Sequence, residues 1–183
     1  NPDIPGQRIL NIYEDSLGRA WFATRDNRAC YVDPRNDDLI YTAFDKINSR
    51  DPIDVKVESE LGNEWFLASH RHGVVIFCLG DAIKSGDTLH IRNYEIYNLR
   101  NENTKETIIP YQISTTKDDN GRIQFYVVSN RGGIHRYVYD PTNTKGEKII
   151  KNLEINTNNG LVTNTFSNIV EDKNGIMWFG SED

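Results

Sequence analysis

Apolar and polar positions alternate along this chain in short runs, and the runs recur in similar sets. Arg8-Ile9-Leu10-Asn11-Ile12-Tyr13 ends at Glu14-Asp15, and Arg19 to Thr24 returns with Ala20 and Phe22 alternating against Trp21 and Ala23. Ala29-Cys30-Tyr31-Val32 follows and stops at Asp33-Pro34. A period of two marks half-buried strands, and Asp-Pro marks a turn. The set returns as Val55-Lys56-Val57, Glu64 to Ala68 and Val74 to Phe77, then as Tyr111 to Thr115, Arg122 to Val128 and Ile134 to Tyr139. A fourth set has Phe166 to Val170 and Ile176 to Phe179. No stretch carries a convincing helical period; Asp81 to Ser85 reads as at most one short turn. Asn120-Gly121 and Asn174-Gly175 read as the strongest hairpin turns, because both residues tolerate positive φ.

The sets share a landmark. Gly18, Gly62, Gly121 and Gly175 stand 44, 59 and 54 residues apart, and Phe22, Phe66, Phe125 and Phe179 each fall four residues later. Trp21, Trp65 and Trp178 precede three of these Phe residues. A unit of about 40–50 residues built of several short strands is the signature of a propeller blade. The longer gaps are explained by inserted loops at Asn98 to Thr107 and Pro141 to Lys148. The expected fold is all-β: a β-propeller fragment of about three four-stranded antiparallel blades plus the start of a fourth. The units run approximately over 8–52, 53–107, 108–163 and 164–183. A small sheet cannot bury both faces alone, so the repeated Trp and Phe are expected between blades. Their recurrence argues against a ligand platform, which needs only one copy.

Bulk composition narrows the partners. The chain has 183 residues, a formal charge of −6 and a pI near 5.2. An acidic chain has no overall attraction to polyphosphate, so nucleic acid is not an expected partner. No apolar run approaches the ~20 residues of a membrane span, so this segment is expected to make no membrane contact. The chain stops inside a repeat, which reads as a piece of something longer. Cys30 and Cys78 are either two buried thiols or one bridge between adjacent units.

Candidate chemistry is sparse. The pairs Glu14-Asp15, Asp118-Asp119 and Glu171-Asp172 could be acid/base carboxylates, but they recur at every turn, where an Asp side chain accepts from turn amides. Asp118 to Gly121 and Asp172 to Gly175 lack the alternating ligands of a calcium loop. His70 and His72 fall short of a zinc set. The expectation is therefore no catalytic residue, no metal and no cofactor. One constellation is positional. The turn after each aromatic strand carries Arg25 in the first unit, His70, Arg71 and His72 in the second, and Arg131 in the third. Equivalent loops of repeated units share one rim. Arg forks suit carboxylate and sulfate groups, so this rim is the candidate ligand-binding site, for an acidic glycan or another anion. The plain alternative is solvated turn residues.

The residues that carry the repeat also carry a family resemblance. Asn159-Gly160-Leu161, Asn164, Phe166 to Val170, Glu171-Asp172, Gly175 and Trp178-Phe179-Gly180-Ser181 resemble the two-component regulator propeller repeat. The first unit matches through Ile12, Glu14, Asp15, Gly18, Trp21, Phe22, Thr24, Tyr31 and Asp33, and Gly133-Ile134-His135-Arg136-Tyr137 is similar to the closing segment of that repeat. Gln124 stands where a Trp belongs, and Ser59 where the Asp before Gly62 belongs. The resemblance implies an extracytoplasmic, periplasmic sensor region of a bacterial hybrid two-component system. Its parent chain would carry further propeller blades and a histidine kinase, and it would detect an oligosaccharide. Two rival functions remain, a protein-interaction scaffold and a propeller-type polysaccharide lyase or hydrolase. Open strand edges of a partial ring further suggest a homo-oligomer.

Overall fold

A computed structural model describes residues 9–24, 29–44, 55–70, 73–101, 104–144 and 146–181. They form sixteen strands and, among the described residues, no helix. The strands fall in two compact units, Asn1–Ile96 and Tyr97–Asp183.

In the first unit, β1 (Ile9–Glu14), β2 (Ala20–Thr24), β3 (Ala29–Asp33) and β4 (Asp38–Phe44) form an antiparallel meander, the first blade. The second blade contains β5 (Lys56–Gly62), β6 (Trp65–His70), β7 (Gly73–Cys78) and β10 (Asn93–Asn98). Between its last two strands sits a hairpin, β8 (Ile83–Ser85) and β9 (Thr88–Ile91). This corrects the expected turn at Asp81 to Ser85. The hairpin joins the first blade: β9 runs parallel to β4, Tyr41 pairing with Thr88 and Phe44 with Ile91. That sheet therefore has six strands in the order β1-β2-β3-β4-β9-β8. An unpaired edge strand exposes a row of backbone donors and acceptors, and the inserted hairpin satisfies the β4 edge. The Tyr41 amide donating to the Asp87 carbonyl at 2.8 Å extends the pairing into the hairpin turn.

The first and second blades enclose one apolar core. The Trp21 indole is 1% exposed, with the rings of Tyr31, Phe66 and Phe77 at centroid distances of 4.6, 5.2 and 6.2 Å. Truncating a buried Trp or Phe of this kind costs about 3–5 kcal/mol. Polar bonds cross the same interface: the Glu60 amide donates to the Tyr13 hydroxyl at 2.9 Å, and the Asn11 amide group donates to the Val57 carbonyl at 3.1 Å.

In the second unit, β11 (Pro110–Lys117), β12 (Ile123–Ser129), β13 (Gly133–Tyr139) and β14 (Ile149–Ile155) form the third blade. The pair β15 (Phe166–Glu171) and β16 (Met177–Ser181) begins the fourth. Phe166 and Ile169 pack on Val128 and Ile134 of the third blade, with Tyr126, Met177 and Phe179 at the margin. Phe125 is fully buried and stacks on Tyr137 at 5.2 Å.

The turn after the first strand of three blades has one design. Asp15 Oδ1 accepts from the amides of Leu17 and Arg19, Asp118 Oδ1 from Asn120 and Arg122, and Asp172 Oδ1 from Asn174 and Ile176. Only the glycine takes positive φ, at 74° for Gly18, 75° for Gly121 and 78° for Gly175. The Asp carboxylate lengthens each turn, so one left-handed residue closes it. The second blade lacks that Asp and uses the tighter form instead: Asn63 at 50° and Glu64 at 62° both take positive φ between the paired Gly62 and Trp65.

The tryptophans do not all lie between blades as expected. Trp21 does, Trp65 is partly exposed, and Trp178 is 62% exposed. Trp65 has no Asp at its turn to fix its indole. Trp178 has that Asp and is exposed all the same.

Candidate functional site

Strands β12 and β13 pair down to Ser129 and Gly133, leaving Asn130-Arg131-Gly132 as the connecting turn. Arg131 takes φ = 79°, a conformation that costs a side-chain-bearing residue about 1–3 kcal/mol. The turn leaves no room for a side chain at either glycine that follows. A Cβ on Gly132 would lie 2.3 Å from Ser129 Oγ, and one on Gly133 would lie 2.3 Å from the Ile155 carbonyl oxygen. The Gly133 amide donates to the Asn164 carbonyl at 2.9 Å, tying the turn to the chain that leads into β15.

Arg131 is exposed at the mouth of a cleft of about 550 Å³. Its walls come from the segment before β11, the Arg131 turn and the connection from β14 to β15. That connection is held by its own side chains. Asn159 Oδ1 accepts from the Asn156 amide at 2.6 Å, and Asn164 Oδ1 accepts from the Thr157 amide at 2.8 Å. Asn101, Asn130, Asn156 and Asn164 line the cleft, together with Tyr111 and Ile109. Asn101, Asn156 and Asn164 use both ends of their carboxamides to hold the walls, which leaves Asn130 beside the exposed Tyr111 ring.

Glu154 is the hub of the wall. Its carboxylate accepts from Lys151 Nζ at 2.7 Å, Asn156 Nδ2 at 2.9 Å and Asn101 Nδ2 at 3.4 Å. Burial pushes its pKa up, but the Lys151 ammonium and the amide donor outweigh that and hold it below the usual range. Beneath the Arg131 turn, His135 is fully buried. Burial lowers its pKa, with Glu154 opposing, so the ring is neutral at pH 7. His135 Nδ1 lies 4.0 Å from Glu154 Oε2, beyond hydrogen-bond reach. Among the described residues neither His135 nitrogen nor Ser129 Oγ makes a well-formed hydrogen bond. Ser129 lines the cleft, so one buried polar atom of its floor is unsatisfied.

Of the rim residues expected from sequence, Arg131 lines this cleft, while Arg25, Arg71 and His72 lie outside the described residues. His70 is 7% exposed at the end of β6, so its ring is packed inward and does not face solvent. Sequence reasoning missed Tyr111, Glu154, Asn156 and Asn164. The run Asn156-Thr157-Asn158-Asn159-Gly160 was the available signal, since it supplies several carboxamides in one turn. Among the described residues no group of three His, Cys, Asp or Glu could hold a metal ion. Cys30 and Cys78 are both buried free thiols.

Known proteins share this architecture. The extracellular domain described as that of a hybrid two-component system, BT3049 from B. thetaiotaomicron, superposes with a TM-score of 0.64 at 21% identity, over 98% of this chain and 21% of its own. The extracellular domain described as that of the hybrid two-component system BT4673 from B. thetaiotaomicron gives 0.61 at 16%, over 97% of this chain and 21% of its own. At these identities the likeness shows the fold, and this chain spans about a fifth of the length of those domains. No curated protein matches it. Residues 3–26 and 160–183, which hold the Asp15–Trp21 and Asp172–Trp178 turns, match the two-component regulator propeller family. Those two segments are similar to two-component regulator propeller repeats, and the fold is all-β, built of antiparallel sheets as in the propeller-like extracellular domains above.

Proposed function

We propose that this chain is part of the extracytoplasmic, periplasmic sensor region of a two-component histidine kinase, and that it binds a carbohydrate in the cleft beside Arg131. The observation that carries the reading is Arg131 itself, an arginine held at φ = 79° between Asn130 and two glycines at the mouth of a polar cleft. A turn that needs a left-handed residue is more stable with Gly, so an Arg there points to a use for its side chain. The lining supports a sugar: the exposed Asn130 carboxamide and Arg131 can pair with hydroxyls, and Tyr111 and Ile109 offer an apolar face for a pyranose ring. Glu106 and Glu154 accompany Arg131 in the lining, which favours a neutral saccharide, or one bearing a single acidic group, over a polyanion. The role is binding, not catalysis. The turn carboxylates that recur along the chain are engaged with turn amides in the three blades that carry them.

The test is a glycan array of neutral and acidic oligosaccharides, followed by calorimetric titration of the best ligand. Arg131→Gly is the decisive variant. It is expected to raise stability by up to about 1 kcal/mol while weakening binding at least about tenfold. Unchanged affinity would remove Arg131 from the site.

A further inference from the structure

We infer that His135 and Glu154 form a proton-operated latch in the wall of the Arg131 cleft: a proton taken up by the buried imidazole draws the Glu154 carboxylate towards it and loosens the hold on Asn101 and Asn156. Its use in regulating saccharide affinity rests on the reading of that cleft as a binding site; the latch itself does not.

The two residues are direct cross-strand partners, His135 on β13 and Glu154 on β14. Side chains opposite each other share one face of the sheet. His135 is fully buried and Glu154 lines the cleft, so the pair joins the interior of the blade to the surface a ligand meets. Among the described residues the ring has no well-formed bond at either nitrogen. A neutral imidazole offers one donor and one acceptor, whereas a protonated one offers two donors. The surroundings suit two donors. Glu154 Oε2 lies 4.0 Å from Nδ1. At the other nitrogen, Nε2 and Ser129 Oγ lie 3.2 and 2.3 Å from the point that a Cβ on Gly132 would occupy. Burial, helped by the Lys151 ammonium, outweighs the pull of Glu154 and of the Gly132 backbone, so the ring is neutral near pH 7.

Glu154 and Lys151, both on β14, are the charged groups that act on the ring. Strand β12 presents Val127 opposite His135 and Ser129 beyond it, and neither titrates in this range. Tyr137 follows on β13 with its ring 6.3 Å away, and the turn and the segment before β11 bring Arg131 and Glu106 to the same cleft.

Glu154 Oε2 accepts from Lys151 Nζ at 2.7 Å, while Oε1 accepts from Asn156 Nδ2 at 2.9 Å and Asn101 Nδ2 at 3.4 Å. Asn101 stands before β11 and Asn156 in the β14–β15 connection, so two walls are tied to one carboxylate. A move of about 1 Å towards a protonated ring makes a charge-assisted bond. That move gives up the long Asn101 contact first. Acid therefore shifts the cleft between two arrangements of its walls.

Nitrogen-15 NMR over about pH 7.5 to 4 tests this without any ligand. The His135 ring is expected to titrate in the folded chain with a midpoint below the usual 6.5, and the side-chain amides of Asn101 and Asn156 are expected to shift with that same midpoint. In His135→Gln these amides are expected to stay still near that midpoint. In Glu154→Gln the ring is expected to hold its proton at least about tenfold more weakly, because the opposite charge is gone, and the amides no longer follow it. If His135→Gln loses its β-sheet circular dichroism, Glu154→Gln carries the test alone. The latch is overturned if the amides do not move, if they move only with the Glu154 carboxylate at about 4.3 or below, if they still follow the same midpoint in His135→Gln, or if the chain unfolds as the ring titrates. A glycan array that finds no ligand would strike the saccharide reading and leave the latch standing.

Discussion

The Trp21 indole donates to Asp15 Oδ2 at 2.9 Å, and the same oxygen accepts from Arg19 Nε at 2.6 Å. One carboxylate thus closes the β1–β2 turn, orients the ring that fills the space between two blades, and neutralises an arginine whose guanidinium lies 5.9 Å from the Trp21 centroid and 5.5 Å from that of Phe66. Burial pushes the Asp15 pKa up, but the bonds from Trp21 and Arg19 hold it below the usual range. Asp15→Asn keeps the shape and removes the charge, leaving Arg19 buried without its counter-ion. The expected loss is about 3 kcal/mol in urea denaturation. Asp172→Asn, at the equivalent but exposed turn, is expected to cost far less.

Glu64 occupies a left-handed position of a two-residue turn that also has Asn63 at positive φ. Asn-Gly is the preferred pair for such a turn. Glu64→Gly is expected to stabilise the chain by about 0.5–1 kcal/mol, read as a raised denaturation midpoint.

The Cys30 thiol is fully buried, and burial pushes its pKa up to about 11. A buried, protonated thiol is a poor nucleophile. Cys30 is expected to resist alkylation by iodoacetamide in the native protein and to react fully in denaturant, as mapped by mass spectrometry. Rapid native labelling would place it outside the core.

Acid should weaken the fold in two windows. The native state binds a proton at His135 less readily than the unfolded chain does, because burial lowers that pKa while Glu154 opposes and Lys151 assists. Where the unfolded state binds more protons, stability rises with pH, so this contribution is present above about 6.5 and is lost as the pH falls through the folded value. His135→Gln is expected to flatten that part of the stability profile. Further down, Asp33 is held at about 2 by Arg35 against a usual 3.8, so its contribution is lost as pH falls from about 4 towards 2.

Strand alternation and the spaced glycines made the blades readable because each blade buries the same positions in turn. The Asp turns were readable for the same reason. The β8–β9 hairpin was not: its strands are short, Ile83 is exposed, and what holds it is the backbone edge of β4, which carries no side-chain signature. The cleft was legible only at Arg131, from the position of its turn. Its remaining lining comes from stretches far apart in sequence, Asn101 to Tyr111 and Glu154 to Asn164. Only the fold of the third blade brings them together.

The central claim is that an indole–aspartate pair recurs along the chain and is buried wherever a following blade covers it. The chain has three tryptophans, so 5-fluorotryptophan labelling gives three fluorine resonances. With a soluble paramagnetic agent added, the Trp21 resonance should stay sharp while that of Trp178 broadens strongly, with Trp65 in between. Equal broadening of Trp21 and Trp178 would contradict the account.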